Sequence, residues 1–186
     1  MNARFTPSRQ EDLSLITGKG HFTADHKYPG MLHAYVIRSM HAHAHIKHLN
    51  LEAVRAYPGV RWVVSADDLK ALGAGTIVNP ITAKGKGGEE QALALMPILA
   101  EGTVRFVGQP IAMVFADSAL CAQDAAELAE IDYEVLEASV DPEQTTLPTA
   151  VQLHGNAPRN VSVHFASGDA EPVNAAFAKA SFTSQL

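Results

Sequence analysis

The segment spanning residues 103–136 sets the fold class. Residues 103–107 and 111–116 are short runs rich in β-formers, separated by Gly108-Gln109-Pro110. Ser118 then stands where a helix cap belongs, ahead of an Ala/Leu segment running to about Ala129. Its Leu120, Ala125, Leu128 and Ala129 fall near one face, with Asp124, Glu127 and Glu130 carrying the charge. Residues 131–136 follow with apolar and polar side chains alternating, the pattern of a half-buried strand. Pro110 has no backbone donor and therefore fits a strand's first position or an edge.

The remainder repeats this mixture. Residues 31–38 predict a strand after Pro29-Gly30, and residues 41–46 alternate with period two as a second short strand would. Residues 51–56 form a short helix stopped by Pro58-Gly59, residues 60–64 a third strand, and Ser65 caps a helical turn that ends at Gly73. Residues 73–100, with Pro80 and Lys84-Gly85-Lys86-Gly87-Gly88-Glu89, form a long surface excursion. The opening to about Gly20 reads as an extended arm, and residues 139–163, with Pro142, Pro148 and Pro158, as a linker. Residues 168–180 restart a helical pattern. Strands and short helices without regular βαβ repetition make the fold class α+β.

Composition bounds the function classes. With 47% hydrophobic and 18% charged residues in 186, the chain has material for a real core and is not disordered throughout. A net charge of −6 with 6% aromatics argues against a nucleic-acid partner. Residues 1–62 carry eight Lys/Arg against four Asp/Glu and residues 63–186 six against sixteen, so the halves are oppositely charged. That pattern fits either an acidic solvated face or two surfaces that dock onto other domains or subunits. No apolar run reaches the roughly 18–20 residues of a membrane span. The polar start, residues 1–8, reads as neither a secretory nor a twin-Arg leader, so a cytoplasmic location is expected. Cys121, the single cysteine, excludes an internal disulfide or a multi-cysteine metal cage.

No motif for nucleotide binding survives its spacing. A dinucleotide fingerprint needs a third glycine five positions after the first, where Thr23, Val78 and Glu90 stand after Gly18, Gly73 and Gly85. A phosphate-cradling loop needs Gly-Lys followed by Ser or Thr, but Gly20 follows Gly18-Lys19 and Gly87 follows Gly85-Lys86. The histidines are the loudest local signal. His41, His43 and His45 would share one face of a strand, with His48 close by, and three imidazoles suit a zinc-type ion. Same-face side chains on one strand sit about 6–7 Å apart, however, which rarely closes a tetrahedral site. The competing reading has these histidines hydrogen-bonding locally between strands. Asp67-Asp68 fits a helix start, Glu89-Glu90 a solvated loop, and Asp132 and Glu134 the polar face of a strand. Cys121, in an Ala/Leu helix, reads as a small buried core residue rather than a nucleophile. The residues alone therefore describe an α+β domain with no self-contained active site.

Several segments in order resemble the N-terminal part of the molybdopterin-binding large subunit of the xanthine dehydrogenase/aldehyde oxidase family. They are Arg9-Gln10-Glu11-Asp12 through Gly18-Lys19-Gly20-His21-Phe22, then Gly30-Met31-Leu32-His33-Ala34 and Arg38-Ser39-Met40-His41-Ala42-His43-Ala44-His45-Ile46. Pro58-Gly59-Val60, Ala66-Asp67-Asp68-Leu69, Val104-Arg105-Phe106-Val107-Gly108-Gln109-Pro110, Ala125-Ala126-Glu127-Leu128 and Asp132-Tyr133-Glu134 complete the series. Met40 stands where the family usually has proline, and His45 where it usually has a basic residue. His41 and His43 match the pattern, which favours packing over a metal.

The resemblance implies an α/β-hammerhead over residues 17–138, preceded by an arm over 1–16. Residues 139–186 then form a linker and the beginning of the molybdopterin-binding domain. It also implies hydroxylation of aldehydes, N-heterocycles or carbon monoxide by a molybdopterin or molybdopterin cytosine dinucleotide cofactor, with electrons passing to 2Fe–2S clusters and FAD on partner domains or subunits. The cofactor's holders and the glutamate base would lie in other domains, so no catalytic, cofactor-binding or metal residue is carried onto this chain. A structural, docking role is expected, inactive by itself. The alternative is a stand-alone interaction or His-cluster metal module of the same fold.

Overall fold

A computed structural model describes residues 9–77 and 82–184; the first eight residues of the expected arm and Pro80 of the excursion lie outside that description. In chain order the elements are α1 (Asp12–Ile16), β1 (His33–Arg38), β2 (Ala44–Asn50), α2 (Glu52–Ala56), β3 (Val60–Ser65), α3 (Ala66–Ala71) and β4 (Thr76–Ile77). They continue with β5 (Met96–Pro97), β6 (Thr103–Val104), β7 (Pro110–Ala116), α4 (Ala119–Ala126), β8 (Glu130–Val135), α5 (Pro142–Thr145) and α6 (Ala170–Lys179). β7 lies between β1 and β3 in one antiparallel sheet, and β2 between β6 and β8 in another; β4 and β5 make a small ribbon. This is the expected mixed architecture.

The two runs flanking Gly108-Gln109-Pro110 go to different sheets: β6 edges the second, while β7 is the centre of the first. Pro110 opens β7 opposite Arg38, where the ladder is already irregular, so its missing donor breaks no regular pairing. β6 is shorter than the five residues expected because the Arg105 N–H turns away to the Gln109 side-chain oxygen at 2.7 Å.

Two apolar clusters share these sheets. Ile37, Val63, Ala112 and Val114 pack beneath Val54 of α2 and Ala125 and Ala126 of α4. Ala44, Ala100, Val104 and Ile111 form the second cluster, with Ile46, Ile131 and Tyr133 packed against it. The face of α4 differs from the expectation. Its buried residues are Ala122, Ala125 and Ala126, whereas Leu120 is 67% exposed and Leu128 lies past the helix end. Small side chains let the helix settle close to the sheet, and the leucines stay at its margin. Ser118 caps the helix as predicted, accepting the Cys121 N–H at 3.1 Å. Ser65 and Asp68 close a reciprocal capping box on α3.

The expected arm contains a helical turn at α1, where Ser14 and Thr17 hydroxyls donate to the carbonyls of Glu11 and Leu13. Residues 139–163, expected as a linker, pack back on the chain. The Asn160 amide donates to the carbonyls of Thr145 and Val151 and its oxygen accepts the Leu153 N–H. Arg159 and Asn160 both hold positive φ, at 55° and 57°, and those three bonds fix the turn. α6 has no buried residue. No helix among the described residues is long and apolar enough to cross a membrane.

Candidate functional site

Two of the motif segments, Arg38-Ser39 and Gly108-Gln109, meet where the turn between β1 and β2 reaches the loop between β6 and β7. Ser39 donates its N–H to the Gln109 carbonyl at 2.9 Å, and the Gly108 N–H donates to the Ser39 carbonyl at 2.8 Å. Arg38 Nη1 reaches the Gly108 carbonyl at 2.8 Å. Gln109, 2% exposed, takes the Arg105 N–H on Oε1, and Arg105 Nε in turn donates to the Leu153 carbonyl at 2.8 Å. The Arg38-Ser39 and Gly108-Gln109 segments are thus halves of one knot that ties the two sheets to the 139–163 segment. Isolated inspection of either segment gives no sign of this; their joint presence in the ordered series was the available signal.

The histidine series does not converge. Residues 41–43 form a bend rather than the start of a strand, because the Ser39 hydroxyl accepts the His41 N–H at 3.0 Å and donates to its carbonyl at 2.9 Å. β2 begins only at Ala44, and its ladder to β8 slips between Ile46 and His48. His41 presents an edge to the Tyr133 ring, centroids 4.7 Å apart. His43, 7% exposed, donates from Nδ1 to the Glu137 carbonyl at 2.7 Å. His45 Nδ1 lies 3.0 Å from the Thr103 hydroxyl, and His48 pairs across the ladder with Asp132. These are the local partners of the packing reading. Among the described residues, no group of three or more His, Cys, Asp or Glu side chains is placed to hold a metal ion.

The remaining candidates stand apart from one another. Cys121 is half-buried, not core, and its Sγ donates to the Pro58 carbonyl at 3.1 Å. Asp67 and Asp68 lie in the first turn of α3, and the Ser65 hydroxyl and N–H hold the Asp68 carboxyl below the usual range. Glu134 pairs with Lys47 at 2.6 Å, which lowers its pKa, while Asp132 is exposed on the same strand. Glu89 and Glu90 are exposed, with Glu90 bridging back to Lys84. Lys19 is followed by, and Lys86 opens, only a single 3-10 turn (Thr23–Asp25 and Lys86–Gly88), neither of them an α-helix that would complete a phosphate cradle. Burial pushes the Tyr133 phenol up, with a hydrogen bond to Ser39 opposing, and burial followed by Arg105 pulls His154 down.

A molybdenum–pterin group needs unsatisfied donors lining a cleft. Among the described residues every buried side-chain nitrogen and oxygen already has a hydrogen-bond partner. A surface depression of about 510 Å³ between the 89–92 and 158–164 segments sets Glu89 and Glu90 against Arg159, mixed charge unlike an anion cradle. The residues here do not fit that group, and no step of its chemistry is assigned to them.

Comparison with known proteins gives the knot its context. Residues 17–137 match the model described as aldehyde oxidase and xanthine dehydrogenase, a/b hammerhead domain. The chain is 38% identical over 189 residues to the carbon monoxide dehydrogenase large chain of Afipia carboxidovorans, covering 95% of this chain and 22% of that one. It is 37% identical to the nicotine 6-hydroxylase large subunit of Paenarthrobacter nicotinovorans, covering 83% and 18% respectively. Among solved structures it superposes on the Cu,Mo-CO dehydrogenase with a TM-score of 0.72 at 35% identity, covering 94% of this chain and 22% of that chain. Quinoline 2-oxidoreductase from Pseudomonas putida 86 gives 0.63 at 37%, covering 74% and 17%. The chain therefore spans about a fifth of the length of the relatives it matches. With the matched region holding both halves of the knot, the chain belongs to the aldehyde oxidase and xanthine dehydrogenase family, as its a/b hammerhead domain.

Proposed function

We propose that the chain is the scaffold and docking portion of the large subunit of a molybdenum-cofactor-dependent hydroxylase, an oxidoreductase acting on aldehydes, N-heterocycles or carbon monoxide. In this reading residues 17–138 are the hammerhead and residues 139–186 lead into the molybdopterin-binding domain. The molybdopterin or molybdopterin cytosine dinucleotide cofactor is held by the rest of that subunit, with 2Fe–2S clusters and FAD on partner domains or subunits. The chain itself supplies no catalytic residue, cofactor contact or metal ligand, and turns over nothing alone. The observation that carries the reading is 38% identity along 95% of the chain to an enzyme large chain of which it amounts to only 22%. The local partners of His41, His43 and His45 support packing over the metal-binding alternative. Affinity capture of the protein from its native source tests the reading. Recovery with a molybdopterin-binding polypeptide and an iron–sulfur subunit is expected; recovery alone with stoichiometric zinc contradicts it.

A further inference from the structure

The β1-β7-β3 sheet is apolar on both faces, and among the described residues only one of them is fully covered. Residues 111–116 of β7 form an unbroken apolar run, the pattern of a strand that needs a layer on each side. Ala112 and Val114 face α2 and α4. On the opposite face Phe115 pairs with Ala34 on one side and Trp62 on the other, and Met113 pairs with Val36 and Val64. The Trp62 and Phe115 rings stack with centroids 5.6 Å apart, yet Trp62 remains 53% exposed. Leu69 of α3 and Leu99 close one side and leave a groove of about 140 Å³ over Val64 and Met113. Charge stops at the margin, where Arg61 is already paired with Asp117 at 2.7 Å and Lys70 with Glu101 at 2.9 Å.

We propose that this Trp62–Phe115–Met113 face is the seat of the remainder of the large subunit, which inserts an apolar side chain into the groove. The inference rests on the scaffold reading and specifies its surface and its occupant. Two observations select that occupant over a dissociable partner or a second copy. Among the described residues the groove is lined by apolar side chains alone, the composition of a permanent interface rather than an exchanging one. The relatives that match this chain along 94–95% of its length carry about four-fifths of their own chain outside the match, so the material for a permanent layer belongs to the same subunit.

The test uses the assembled enzyme from the native source, with a photo-reactive aromatic amino acid in place of Trp62 and, separately, oxidative labelling of the unmodified enzyme. Cross-linking into the remaining large-subunit sequence is expected, together with loss of labelling at Trp62 relative to Tyr28, itself 67% exposed. A cross-link into an iron–sulfur or flavin subunit, or into a second copy of this chain, overturns the proposal, as does labelling of Trp62 on a par with Tyr28. Either overturning result in an enzyme that contains molybdenum leaves the scaffold reading standing. Absence of a molybdopterin-binding polypeptide from the captured material removes both.

Discussion

The backbone N–H of Ser39 donates to the Gln109 carbonyl at 2.9 Å, joining residues seventy positions apart. Gln109 uses its side chain as well, taking the Arg105 N–H at 2.7 Å while 2% exposed. Gln109→Ala leaves a buried donor without a partner, which costs about 1–3 kcal/mol. Urea unfolding of the variant should show that loss, and a variant as stable as the parent would contradict the bracing role.

His43→Ala should cost a similar amount, about 1–3 kcal/mol, through the lost bond to the Glu137 carbonyl. Metal analysis after dialysis should give the same zinc content for parent and variant. Stoichiometric zinc in the parent, absent from the variant, would restore the metal-site reading.

His154 titrates with a definite sign. Burial, then Arg105, lowers its folded pKa, so the unfolded chain binds its proton more readily. Its contribution is complete above about pH 6.5, the ordinary histidine value, and is lost as pH falls through the lowered folded value. His154→Gln should flatten this mild-acid loss in thermal midpoints measured from pH 8 to 5. An unchanged pH profile would count against it.

Asp68 acts in a lower window. The Ser65 hydroxyl and N–H depress its folded pKa, so the stability it adds is present above the ordinary carboxylate value of about 3.9 and is lost as pH falls through the folded value. Ser65→Ala removes the cap at about 1 kcal/mol. In an NMR titration the Asp68 carboxyl should move back up toward its ordinary value in that variant.

α4 separates the sequence pattern from the structure. Ala125→Leu, at a position 0% exposed, should destabilise by about 1–3 kcal/mol through overpacking, whereas Leu120→Ala, at 67% exposed, should be nearly neutral. The opposite order would show that the leucine face is the buried one.

Much of the fold was legible because local rules sufficed. Ser65 and Ser118 predicted their caps, Pro58-Gly59 and Gly73 their stops, and the alternation of residues 131–136 its strand. The failures arose where side-chain hydrogen bonds to the backbone override local pattern. His41 and His43 alternate like a strand, but the Ser39 hydroxyl turns the backbone there. Residues 105–107 have strand composition, yet Arg105 gives its N–H to Gln109. The prolines of residues 139–163 read as linker because Asn160's partners at Thr145 and Val151 carry no sequence signature. For the candidate site, the family motifs include the Arg38-Ser39 and Gly108-Gln109 segments, while their contact across the sheets and the Trp62 face required the structure.

The most direct measurement is molybdenum content together with aldehyde-dependent dye reduction for these 186 residues, purified and folded on their own. A scaffold predicts no molybdenum above the buffer blank and no substrate-dependent reduction. Stoichiometric molybdenum with turnover would mean that the residues described here hold the cofactor after all.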